Sequence, residues 1–90
     1  MFVAVSCDFA NDDHRDVISD LLFQYGFKQI LKYLFESRSI NESSLASLKK
    51  DIDRQTDSYD IIRIYQYPLE NTLVISSLEN KKWRKLKVVI

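Results

Sequence analysis

Apolar positions along this chain recur at two different spacings, and the changes between them mark out the elements. Phe2 to Cys7 is a valine-rich apolar run closed by Asp8, which predicts a buried strand. Asn11 or Asp12 can cap a helix that follows, and Asp12, Asp13 and Asp16 suit the positive end of its dipole. Val17, Ile18, Leu21, Leu22 and Tyr25 then recur on one helical face, and Gly26, the only glycine, falls where a left-handed C-cap is needed. Phe27 to Ser37 reads as a strand or a bent pair of strands, with Leu31, Tyr33 and Phe35 alternating against Lys32, Leu34 and Glu36. Ser39-Ile40-Asn41-Glu42 matches a capping box ahead of a second helix, whose buried stripe is Leu45, Leu48 and Ile52 and whose end lies near Arg54 to Ser58. Tyr59 to Tyr67 is a β-branched and aromatic strand that Pro68 should end, because proline cannot donate to a ladder. Thr72 to Ser76 and Leu86 to Ile90 read as the last strands.

The order β-α-β-(β)-α-β-β predicts a single α+β domain over residues 1–90, a ferredoxin-like βαββαβ sandwich with an additional C-terminal strand. Both helices should cover one sheet face, leaving apolar residues on the other. A 90-residue chain buries only about 60–65% of its unfolded surface. Its single cysteine, Cys7, allows no intramolecular disulfide, and no Cys/His cluster is present to hold structural zinc. Covering the second face with a second copy is the remaining way to bury more apolar area, so a two-fold homodimer is expected.

Charge changes the picture only locally. Thirteen basic and thirteen acidic residues cancel, which excludes a uniformly basic nucleic-acid binder. From Asn80 to Ile90, however, Lys81, Lys82, Arg84, Lys85 and Lys87 occur with no acid. Such a basic tail can contact phosphates or, alternatively, keep a terminal strand edge solvated. The N-terminus lacks the pattern of a signal peptide, no apolar run approaches the ~20 residues of a membrane span, and a lone cysteine suits a reducing compartment. A cytoplasmic protein with no membrane partner is the expectation.

Conventional catalytic constellations are absent. Cys7 and His14 are the only residues of their kinds; Cys7 reads as an inward strand residue and His14 as an exposed residue of the first helical turn, a poor dyad. Asp8 stands out, since it ends an apolar strand directly before a loop. It can simply form an Asx-type turn. If a two-fold axis passes near the first strand, two Asp8 carboxylates approach each other, and a cation between them relieves their repulsion. Oxygen ligands without histidine favour Mg²⁺ or Mn²⁺ at that axis, an ion able to activate water against a phosphodiester. Arg15 is a candidate phosphate ligand, or else a surface arginine paired with Asp12 or Asp16. Trp83 can stack on a base or anchor a subunit contact.

The ordered set VAVSCD, Arg15, Leu21-Leu22-x-x-Tyr25-Gly26, Phe35-Glu36 and Ile61-Ile62-Arg63-Ile64-Tyr65 resembles Cas-two, the small CRISPR-associated adaptation subunit. The resemblance covers roughly residues 1 to 76. It implies a ferredoxin-like homodimer that bridges the spacer-integration complex, holds DNA and docks the CRISPR integrase, with Mg²⁺-dependent nuclease activity on RNA or DNA in several members. By the same resemblance Asp8 is the metal ligand and catalytic residue, Arg15 a nucleic-acid contact and Phe35 a residue near the site. Lys28 or Lys32 stands where the family carries an arginine, which implies a nucleic-acid contact there too, and Lys81, Lys82 and Arg84 suit DNA binding or integrase docking. Alternative readings are a toxin-like ribonuclease resembling virulence-associated protein D, which shares the fold and a first-strand aspartate, and a non-catalytic dimeric adaptor.

Overall fold

The computed structural model describes residues 1–89, apart from the side chains of Pro68 and Leu69. Eight elements follow in order: β1 (Phe2–Asp8), α1 (Asp12–Gln24), β2 (Lys28–Leu31), β3 (Leu34–Ser37), α2 (Glu42–Gln55), β4 (Ile61–Leu69), β5 (Thr72–Glu79) and β6 (Lys82–Val89). All the strands join one antiparallel sheet in the order β2-β3-β1-β4-β5-β6. Its first four strands have the order of a ferredoxin-like βαββαβ unit, and β5 and β6 extend the sheet past β4 as successive hairpins.

Period-two alternation decides which side chains face the helices. Val5 lies between Phe35 on β3 and Ile64 on β4, and Val3, Cys7, Ile62 and Leu78 bury on the same side. Ile18 and Leu22 of α1 and Leu45, Leu48 and Ile52 of α2 close over them in one cluster. Each such side chain removed from water contributes about 1.5–3 kcal/mol. The alternate positions form the other face, which no helix covers. There Tyr65 on β4 lies between Ala4 on β1 and Ile75 on β5, and Ile75 faces Leu86 on β6.

Local sequence fixes the helix ends. Asn11 Oδ1 accepts from the His14 amide at 2.8 Å, capping α1. Its C-terminus is a Schellman motif: the Phe27 amide donates to the Leu22 carbonyl and the Gly26 amide to Phe23, both at 3.0 Å, with Gly26 at φ +86°. The expected capping box on α2 is corrected. Asn41, not Ser39, is the N-cap, with Oδ1 accepting from the Ser44 amide at 2.7 Å. Starting the helix there puts Ile40 just outside and Leu45 four residues inside, and both are buried in the same cluster as a hydrophobic staple requires.

Three further expectations change. Pro68 does not end β4; the register between Gln66 and Leu69 shifts, so no regular ladder bond is demanded of its missing N–H. The last strand begins at Lys82, four residues before Leu86, because Asn80 and Lys81 both take positive φ in a tight hairpin turn that sets Glu79 opposite Lys82. Ile90, the final residue of the expected strand, lies outside the described residues. Phe27 to Ser37 forms the expected bent pair of strands, the hairpin of β2 and β3, but its alternation does not hold across the turn: of Leu31, Tyr33 and Phe35 only Phe35 is buried, since Leu31 and Tyr33 occupy the exposed tip. No helix among the described residues is long and apolar enough to cross a membrane.

Candidate functional site

Asp8 is the last residue of β1, exposed, on the sheet face that carries no helix. Backbone pairing sets it against Ile61, and sets Ser6, the next residue on the same face, against Arg63. Arg63 is exposed too, with its guanidinium 5.8 Å from the Tyr65 ring. A carboxylate and a planar cation able to bind phosphate thus share one end of this face, the charged end at which Glu79, Lys82 and Arg84 of β5 and β6 also lie. Within the single chain no other described acidic side chain joins Asp8 in a ligand cluster.

The loop that follows Asp8 is fastened from below by a residue 50 positions away. Asp60, fully buried immediately before β4, accepts from the Ala10 amide on Oδ1 at 2.9 Å. Its Oδ2 accepts from the Asp57 amide at 3.0 Å and from His14 Nδ1 at 2.6 Å. Burial alone would raise the Asp60 carboxyl. The two amides and the His14 ring, through hydrogen bonding and charge, outweigh it and hold the group below the usual carboxylate range. Three segments meet on this one carboxylate: the β1–α1 loop, the first turn of α1 and the α2–β4 turn.

His14 Nδ1 and carboxylate oxygens of Asp57 and Asp60 also lie within 4.8 Å of one another, close enough to hold a metal ion. The donor set of one imidazole and two carboxylates suits a transition ion rather than Mg²⁺. At 2.6 Å, however, His14 Nδ1 is hydrogen-bonded directly to Asp60, and both Asp60 oxygens already accept from backbone amides. As arranged, the trio is a brace.

His14 is therefore not the freely exposed first-turn residue expected, but half-buried against Asp60. Sequence reasoning missed Asp60 because it sat inside an apparent strand, Tyr59 to Tyr67, whose ladder starts only at Ile61; the Asp-x-x-Asp spacing of Asp57 and Asp60 was the available signal. Cys7 is buried on the helix side with its thiol pushed up to about 12 by burial, so it and His14 form no dyad.

The remaining residues scatter. Arg15 ion-pairs with Asp12 at 3.3 Å and Asp16 at 3.5 Å, and it lines one cleft with Lys32. Lys28 is exposed on β2 opposite Glu36, and Lys32 lies 5.3 Å from the Tyr33 ring. Phe35 is core, edge-to-face with Phe23 at 5.7 Å, on the face opposite Asp8. Lys81 is a tether: its ammonium reaches the Asp53 carboxylate at 3.1 Å and the backbone carbonyls of Asp53 and Thr56. Lys82 and Arg84 project from β6 on the side that carries Asp8.

No family model matches this sequence, and no curated protein matches it significantly.

Proposed function

We propose that the chain is a nucleic-acid-binding subunit of the Cas-two type, working as a homodimer whose two sheets meet through their helix-free faces. The observation that carries this reading is Asp8 itself: an exposed carboxylate closing the first strand of a βαββαβ sheet, on the helix-free face, with Arg63 beside it. An uncovered sheet face bearing Tyr65, Ile75, Leu86 and Val88 is the surface a second copy would bury. A two-fold axis near β1 then sets two Asp8 side chains against each other.

Paired in this way, the oxygens suit Mg²⁺ or Mn²⁺. Such an ion would supply Lewis-acid polarisation of a phosphodiester and a bound water of lowered pKa. The chain's own residues do the rest. Arg63 holds a phosphate beside the carboxylates. Asp60 and His14 keep the loop after Asp8 from shifting. Arg15 with Lys32, Lys28, and Lys82 with Arg84 provide outlying contacts for a duplex backbone. Docking on the CRISPR integrase gives this bridge its place.

Co-purification with a CRISPR integrase from its own organism, with and without a short duplex, tests the reading. A stable ternary complex is expected. An intact dimer that ignores the integrase, yet cleaves RNA in Mg²⁺ and loses that activity in Asp8→Asn, would replace it with the toxin-like ribonuclease.

A further inference from the structure

Between α2 and the β5–β6 hairpin lies a cleft of about 350 Å³, within the range of about 300–1,000 Å³ of small-molecule sites. Its lining includes Lys49, Lys50, Ser76, Trp83, Arg84 and Lys85. Lys49 is the central group. Its half-buried ammonium donates to the buried Ser76 Oγ at 2.9 Å and sits 5.8 Å from the Trp83 ring centroid. Burial and the neighbouring Lys85 both depress its pKa, the mark of a cation lacking a counter-charge.

No carboxylate of the described residues supplies that counter-charge. Among the described residues the cationic side chains in ion pairs are His14, Arg15, Arg54 and Lys81; no described carboxylate lies within 4.0 Å of Lys49 or Lys85, and the Arg84 side chain projects to the other face. The one acid lining the cleft, Asp53, is taken by Lys81. An adjoining cavity of about 290 Å³ shares Lys49 and Lys85 and is also lined by Lys87 and by one acid, Glu42. The space exceeds what a bare phosphate fills, and Trp83 gives it an aromatic wall.

We infer that this cleft binds a phosphorylated nucleoside, with the phosphate between Lys49 and Lys85 and the ring system against Trp83. Its source is either a free nucleotide or the phosphorylated end of a nucleic-acid strand. The site lies on the helix side of the sheet, apart from Asp8, and rests on none of the chemistry proposed there.

Trp83 is the only tryptophan, so its fluorescence reports the cleft directly. The intact chain, without divalent metal, is titrated with adenosine 5′-monophosphate, adenosine, inorganic phosphate, and an oligonucleotide with a 5′-phosphate or a 5′-hydroxyl. Saturable quenching by the monophosphate or by the 5′-phosphorylated strand is expected. Adenosine, phosphate and the 5′-hydroxyl strand should bind at least tenfold more weakly. Binding by the monophosphate but not the strand assigns a free ligand, and the reverse assigns a strand end. Lys49→Gln and, independently, the exposed Lys85→Gln should each weaken binding at least tenfold in variants that retain the wild-type circular dichroism. No saturable change with either phosphorylated probe up to several millimolar, equal binding of adenosine, or unaltered binding in both folded variants overturns the proposal. Omitting metal separates this outcome from any failure of the Asp8 reading.

Discussion

Asp60 shows how a single side chain can hold together parts of the chain that have no ladder between them. Replacing it by alanine strands the Ala10 and Asp57 amides and the His14 ring nitrogen in a partly buried place. The expected loss is about 2–4 kcal/mol, read from the midpoint of urea unfolding. The sign with pH follows from the depressed carboxyl. Its contribution is complete above the unfolded-state value of about 3.9 and is lost as pH falls through the lower folded value. The melting temperature of the wild type should therefore drop more steeply than that of Asp60→Asn below about pH 4; parallel curves would show that the carboxylate is not the source. Asp8 was legible in the sequence because one charge closing an apolar run stands out. The brace was not, since His14 and Asp60 lie 46 residues apart and meet only when α1 and the α2–β4 turn are in place.

At the scale of elements, the helices were readable because caps and apolar stripes are local. Gly26 illustrates a requirement of backbone rather than space. A Cβ there would meet nothing within 4 Å, yet its φ of +86° disfavours any side chain. Gly26→Ala should cost about 1 kcal/mol, with no change in the native fold. Asn41→Ala should cost about 1 kcal/mol while Ser39→Ala stays within about 0.5, in the same unfolding assay. Equal effects at the two positions would restore the capping box to Ser39. The strands were less readable at their ends. Two tight turns at positive φ, Glu70-Asn71 and Asn80-Lys81, set where β5 and β6 begin, and neither carries the glycine that usually announces such a turn. The lysine-rich start of β6 is not legible as strand, because its partners lie across the hairpin on β5.

For the whole molecule, two helices over one face of an antiparallel sheet followed from element order and alternation, but the sheet has six strands where a βαββαβ unit with one added strand has five. The other face is uncovered in the single chain, and a sequence states this only as surplus apolar residues. The homodimer reading makes Ile75 central, since it lies between Tyr65 and Leu86 on the uncovered face. Ile75→Lys should leave the monomer's stability within about 1 kcal/mol and halve the mass seen by light scattering. The most direct test places a thiol at the proposed axis. The buried Cys7 does not compete, so Asp8→Cys carries one reactive sulfur per chain. Mild oxidation should link it into a disulfide dimer of twice the chain mass on a non-reducing gel, and reduction should reverse it. A chain that stays single under the same oxidation, and elutes with the mass of one copy, would contradict the pairing of the two Asp8 side chains on which the proposed function stands.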